Sequence, residues 1–258
     1  MFYVVYLLVK NKHSGAAIPA SDRILVKMDR LNYIKKNLEE LSLEIERISA
    51  RVGVREPLLV SVTKSGDDCE LLELFRSGAL AMGENRPQEL KRRGELLAEA
   101  GLFPELHQIG TLQSNKVKLI AEKTALIHSL DSISLAKEID RQAKKFGRQI
   151  PVLIEINSAK EPQKSGIMPE DAERFYEQIC DFSSLKISGL MTMGPADCDS
   201  EELRSYFRST RALFDRMNEK YGFGDKPTLS MGMSDSYEIA IEEGSTLVRV
   251  GRRLFKKD

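Results

Sequence analysis

The 258-residue chain carries 39 lysines and arginines against 39 aspartates and glutamates, so no charge excess argues for nucleic acid or an anionic membrane surface as a partner. A chain of this length buries a sizeable core, in one large domain or two small ones. Its three cysteines, Cys69, Cys180 and Cys198, are odd in number and lack metal-ligand spacing, which fits a reducing, cytoplasmic compartment better than a disulfide framework.

Residues 1–9 form an apolar run too short to span a bilayer, with no basic residue before it and no convincing cleavage site after it, and are not read as a signal peptide. A stretch of small residues follows, and Met28 opens a segment of different character. Residues 1–27 therefore read as an N-terminal extension, disordered or foreign to the domain, and 28–258 as the domain itself. From Leu31 the apolar positions run Leu31, Ile34, Leu38, Leu41, Ile45, Ile48 and Val52, in steps of three and four between charged residues. This pattern predicts a long amphipathic helix packed across its own domain, and with it a monomer; a short coiled coil is the alternative.

Residues 58–63 are a nearly continuous apolar run, suited to a strand buried on both faces, and Lys64 closes it before the acids Asp67 and Asp68 open a helix. The same rhythm continues to the end of the chain. Strands at 58–63, 79–82, 105–109, 125–129, 151–156, 186–191, 228–231 and 246–250 alternate with helices at 68–77, 87–99, 113–122, 132–146, 169–181, 200–221 and 235–242. Short connections between eight such strands argue for parallel pairing with right-handed crossovers. The expected fold is α/β, a single (β/α)8 barrel of the TIM type with an extra N-terminal helix; a doubly wound open sheet is the alternative.

In such a barrel the C-terminal ends of the strands meet on one face and build the site. Those ends carry Lys64, Gly83-Glu84-Asn85, His107 with Gly110, Ser129 and Asp131, Asn157, Met191-Thr192-Met193-Gly194, Ser230-Met231-Gly232-Met233-Ser234, and Arg249-Val250-Gly251. Taken alone, Lys64 is either a reactive amine or a solvated lysine at a strand end. Ser230 to Ser234, and the glycines and serine flanking the last strand (Gly244, Ser245, Gly251), leave amides and hydroxyls free for a phosphate, or simply make turns. No Gly-x-Gly-x-x-Gly, Walker loop, zinc-like cluster or Gly-x-Ser-x-Gly occurs. His107 and His128 are expected as hydrogen-bonded core histidines, and Lys116-Val117-Lys118 as a solvated helix face open to an acidic partner.

Val62-Thr63-Lys64, Gly83-Glu84-Asn85, the run His107-Gln108-Ile109-Gly110-Thr111-Leu112-Gln113-Ser114-Asn115-Lys116, Ile127 to Asp131, Gly189-Leu190-Met191-Thr192-Met193, Ser230 to Ser234 and Gly244 to Gly251 together resemble the pyridoxal phosphate homeostasis protein family. That family has the fold of the alanine racemase N-terminal barrel, and the resemblance covers the chain from about Met28 to Phe255. It implies that Lys64 forms a Schiff base with pyridoxal 5'-phosphate, that Asn85 lies beside the ring and that Arg249 faces the pyridine nitrogen. It further implies that Ser230, Gly232, Ser234, Gly251 and Arg252 hold the phosphate. Two departures stand out: Leu106 where many members have tryptophan, and Lys256 rather than glycine after Phe255.

Two classes of function follow. One is a carrier that holds the cofactor reversibly, exchanges with free amino acids and supplies apoenzymes that depend on it. The other is a pyridoxal phosphate enzyme such as an amino-acid racemase, which needs an acid/base group on each face of the substrate Cα. In alanine racemase the second base comes from a separate β-rich domain, and here the chain ends soon after the eighth strand, so the carrier is the expectation.

Overall fold

The computed structural model describes residues 31–161, 163–195 and 197–257, so the reading of residues 1–27 as an extension lies outside the described residues. The first apolar stripe forms a single helix, α1 (Asn32–Val52), that buries Ile34, Leu38, Leu41, Ile45 and Ile48. Gly53 ends it in the left-handed region, and its N–H reaches back to Ala50 O.

The chain then runs β1 (Leu58–Val62), α2 (Asp68–Arg76), β2 (Ala81–Glu84), α3 (Pro87–Glu99), β3 (Glu105–Gln108), β4 (Leu126–Leu130), α4 (Ile133–Lys145), β5 (Ile150–Ile156), α5 (Ala172–Ile179), β6 (Leu185–Thr192), α6 (Ser200–Tyr221), β7 (Thr228–Ser230), α7 (Tyr237–Glu242) and β8 (Leu247–Val250). All eight strands are parallel and pair in sequence order, and β8 returns to β1 with Leu58 opposite Leu247 and Ser61 opposite Val250. The sheet is thus the closed barrel, not the open doubly wound alternative. Helix α1 lies outside it against α2 and α7, where Arg51 pairs with Glu238 and Glu242. Among the described residues no helix is long and apolar enough to cross a membrane.

Two expected elements differ. Between β3 and β4 a 3-10 helix, Ser114–Leu119, stands where an α-helix over 113–122 is expected. Its bonds run from Lys116 N to Gln113 O and from Ile120 N to Val117 O, and that threefold repeat buries Val117 and Ile120 on one side. Strand β2 starts two residues later than its apolar run, because Leu80 is 70% exposed at the barrel end while Glu84 is buried against a cation. Apolarity alone does not separate these cases.

Alternation along the strands divides the core in two. Most apolar side chains pack between helices and sheet, and a smaller set, Val60, Val62, Ala81, Ile109, Leu126, Leu153, Met191 and Leu247, fills the barrel. The register of β5 against β6 shifts between Val152 and Leu153, and there Gly189 has φ 147°. A Cβ on Gly189 would stand 1.9 Å from Thr228 O. Replacing Gly189 with alanine is therefore expected to cost on the order of 3 kcal/mol in urea unfolding, and a loss below about 1 kcal/mol would show that β6 moves freely away from β7.

Candidate functional site at the strand ends

Lys64 stands one residue beyond β1, exposed, on a turn closed by Gly66 N donating to Thr63 O at 3.0 Å. It makes no hydrogen bond or ion pair among the described residues. The turn beneath it is rigidly held. Arg93, from α3, donates through Nη1 to Thr63 O and through Nη2 to Gly66 O at 2.8 Å, so its guanidinium grips the carbonyls on both sides of Lys64. The same Nη1 lies 3.0 Å from Glu84 Oε1, which also accepts Thr63 Oγ1 at 2.5 Å. Burial pushes the Glu84 carboxyl up, while the hydrogen bond from Thr63 and the charge of Arg93 pull it down. Helix α2 starts beside the turn with a capping box, in which Asp67 accepts from Cys69 N and Glu70 N and Glu70 accepts from Asp67 N.

Arg93 is absent from the residues picked out in the sequence. It had a signal: in α3 it falls with Leu90 and Leu97 on the buried face, a charge in the apolar phase of an amphipathic helix.

Around the mouth from Lys64, exposed Asn85 follows β2, and its carbonyl accepts from Gln108 Nε2 at 2.9 Å. Asn157 instead organises its own loop, accepting from Glu161 N at 3.1 Å and donating to Glu161 O at 2.8 Å. The loops after β7 and β8 come together at Ser234, whose Oγ accepts from Gly251 N at 3.3 Å and from Arg252 N at 3.2 Å. Gly232 turns the first loop with φ 86°, and a Cβ there would meet Ala240 Cβ at 2.5 Å. A Cβ on Gly251 would lie 2.7 Å from Val62 O, so closure of β8 on β1 brings the two amides beside the Lys64 turn. Adjacent N–H groups with a hydroxyl form a concavity fitted to an anion. The Arg252 side chain pairs with Asp235 at its edge. Gly244, Ser245 and Thr246 precede β8 and so stand at its other end, where Ser245 Oγ accepts from Met231 N at 3.2 Å and its one proton lies within reach of the carbonyls of Leu229, Met231 and Leu247. They are a structural joint and do not face this mouth.

Arg249 is buried in the barrel at 4% exposure. Nη1 donates to Ser230 O at 3.0 Å and Ser230 Oγ at 2.5 Å, and Nη2 to Thr192 O at 3.1 Å. These three bonds leave, among the described residues, two of the five guanidinium N–H bonds without a protein acceptor. Among the described residues no carboxylate oxygen lies within 4.0 Å of it, so Arg249 is not held by a simple salt bridge. The Ser230 hydroxyl, which the resemblance assigns to phosphate, is engaged instead by Arg249 and by His128 Nδ1 at 3.0 Å. His128 Nε2 in turn meets His107 Nδ1 at 3.0 Å, so both histidines are hydrogen-bonded core residues as expected. Burial lowers the Arg249 guanidinium to about 10, with Glu155 opposing, which leaves it a cation at neutral pH. Glu155 is itself buried, with Oε2 lacking a partner among the described residues. Burial first, and the charge of Asp131 second, push its carboxyl up to about 7, against the pull of Arg249.

Residues 37–257 match the family model described as alanine racemase, N-terminal domain. The pyridoxal phosphate homeostasis protein of Aquifex aeolicus is 40% identical over 222 residues, 84% of this chain and 96% of that one. Its counterpart in Helicobacter pylori strain 26695 is 38% identical over 201 residues, 77% of this chain and 87% of that one. The chain belongs to the pyridoxal phosphate homeostasis protein family. Among solved structures, PipY of Synechococcus elongatus with PLP bound superposes with a TM-score of 0.74 at 28% identity, over 86% of this chain and all of that one (100%). Alanine racemase of Corynebacterium glutamicum, at 18% identity and a TM-score of 0.64, shares the barrel fold over 88% of this chain and 62% of its own. Lys64, Asn85 and the amides of Gly251 and Arg252 stand at the C-terminal ends of β1, β2 and β8, at one mouth of the barrel.

The buried carboxyl of Glu155 has a measurable consequence. Because its folded-state value is raised, its contribution to stability is full below the ordinary glutamate value near 4.5 and is lost as pH rises through about 7. Urea unfolding of Glu155→Gln is expected to match the parent at about pH 4 and to exceed it by up to about 3 kcal/mol at about pH 8. Parallel stabilities across that range would contradict the assignment.

Proposed function

We propose that the protein binds pyridoxal 5'-phosphate at the C-terminal mouth as a Schiff base with Lys64, and that it buffers the cofactor and supplies it inside the cell. The observation that carries this reading is the contact of Gly251 with Val62 O, which sets the amides of residues 251 and 252 beside the lysine turn. An amine for the aldehyde and an anion cup for the phosphate are then neighbours. The PLP bound to the PipY relative supports the same choice.

Each residue has a part in this reading. Arg93, Glu84 and Thr63 hold the turn so that Lys64 meets the aldehyde with little conformational search. Ser234, Gly251 and Arg252, with the turn at Gly232, hold the phosphate, and Ser230 acts by anchoring Arg249. Asn85 lies beside the ring. Arg249 faces the pyridine nitrogen through its remaining N–H groups, and because a guanidinium only donates, that nitrogen accepts and stays unprotonated. When bound, the cofactor supplies a reactive aldehyde and an electron sink; opposite a donor that keeps its proton at neutral pH, the sink is weak. A weak sink suits storage and exchange with free amino acids or apoenzymes better than turnover at the amino-acid Cα.

Borohydride reduction of the protein loaded with pyridoxal 5'-phosphate, followed by peptide mapping, is expected to place the pyridoxyl group on Lys64. Lys64→Ala should fold normally and lose the adduct. A major adduct on another lysine would overturn the assignment. Racemase turnover of about 1 per second or more, abolished by Lys64→Ala, would replace the carrier reading with an enzyme.

A further inference from the structure

The interior of the barrel holds an unbroken line of polar side chains from one mouth to the other. It runs from Arg249 Nη1 to Ser230 Oγ (2.5 Å), Ser230 Oγ to His128 Nδ1 (3.0 Å), His128 Nε2 to His107 Nδ1 (3.0 Å) and His107 Nε2 to Glu105 Oε2 (3.2 Å). Ser230, His128 and His107 are each at most 1% exposed, whereas the Glu105 side chain is 61% exposed. Glu105 and His107 line a cavity of about 980 Å³ at the N-terminal mouth, together with Leu58, Leu126 and Leu247. The line therefore begins at the proposed cofactor site and ends in solvent on the far side of the barrel.

Donor and acceptor chemistry gives it one direction. Arg249 has no lone pair to offer, so Ser230 Oγ accepts from it and its own proton is left for His128 Nδ1. With Nδ1 accepting, the neutral His128 ring carries its proton on Nε2 and donates to His107 Nδ1. His107 then carries its proton on Nε2 and donates to the Glu105 carboxylate. Every donor points from the cation at the top to the anion at the bottom. We propose that Glu105, His107 and His128 are positioning residues for Arg249, and that a proton taken up by His107 reverses this line and weakens the hold of Ser230 on Arg249.

The reversal follows from counting protons. A doubly protonated His107 donates from both nitrogens, to Glu105 and to His128 Nε2, so His128 must shift its proton to Nδ1 and donate to Ser230 Oγ. Ser230 Oγ then accepts from two donors with its two lone pairs while its own proton loses the His128 acceptor, and an oxygen that no longer donates is a poorer acceptor, so the Arg249 bond weakens. His128 itself stays neutral, since burial and the nearby His107 and Arg249 all oppose its charging. The groups facing the line are Arg249 with Glu155 at its upper end, and Glu105 with Lys226 at its lower end. The consequence for the cofactor rests on the reading that Arg249 faces the pyridine ring; the tautomers do not.

The chain has 3 histidines, so nitrogen-15 histidine NMR of the full protein contains only His107, His128 and His13. At neutral pH both buried rings are expected as Nε2–H tautomers, and on acidification His128 is expected to become Nδ1–H, uncharged, at the pH where His107 charges. An Nδ1–H ring for His128 at neutral pH, or a His128 tautomer indifferent to the charge on His107, would overturn the proposal. Glu105→Gln, a change at an exposed side chain, should preserve the neutral tautomers, since an amide oxygen still accepts from His107 Nε2–H; an Nδ1–H ring at His107 in that variant counts against it. Pyridoxal 5'-phosphate affinity should fall several-fold through the midpoint of the His128 tautomer change. If the cofactor does not bind while the tautomers behave as stated, the cofactor reading fails and the line stands. Binding that stays flat through the midpoint refutes the coupling.

Discussion

A guanidinium enclosed in a parallel barrel is the constraint on which much of this molecule turns. Removing Arg249 from water is costly, and among the described residues no carboxylate lies within bonding distance to compensate. Two strand-end carbonyls and one hydroxyl take that role, from Thr192 and Ser230, so β6, β7 and β8 are tied at the level where the mouth begins. That arrangement accounts for histidines and a serine, and for a buried glutamate whose charge opposes the lowering of Arg249, beside the small apolar set. From Arg249 to Glu105 the members of this interior satisfy one another in a fixed pattern that specifies one arrangement, while among the described residues Glu155 Oε2 is left without a partner.

A second buried arginine does the corresponding work on the other side of the β1–β8 seam. Arg93 is not inside the barrel but between α3 and the sheet, where it grips the carbonyls of Thr63 and Gly66 with Glu84 as its counter-charge. The seam itself is close-fitting at Gly251 against Val62 O. The proposed site is thus produced by closure: the lysine belongs to the first strand and the anion cup to the last two loops, and only the pairing of β8 with β1 makes them adjacent. An open sheet from the same elements would hold them at opposite edges.

Much of this was legible in the sequence. The heptad-like stripe from Leu31 is α1, the helices over 87–99 and 200–221 match α3 and α6 end to end, and the strand ends carry the side chains that gather at the mouth. Legibility failed where tertiary context decides. The segment 113–122 has helical composition, but burial of Val117 and Ile120 at a spacing of three selects a 3-10 path. The glycine and serine before β8 look like those after it, and only strand direction assigns Ser245 to a joint and Gly251 to the mouth. Ser230 reads as a phosphate ligand until the inward phase of β7 and the need of Arg249 for an acceptor claim its hydroxyl. Arg93 shows that a charge in the apolar phase of a helix is itself a signal.

The central claim is that Arg249, held by carbonyls and a serine, presents a permanent donor to the cofactor ring. Its most direct test is the nitrogen-15 shift of pyridoxal 5'-phosphate labelled at the ring nitrogen and bound to the full chain. The account predicts an unprotonated, hydrogen-bonded pyridine through the neutral and mildly alkaline range. A pyridinium signal in that range would contradict it.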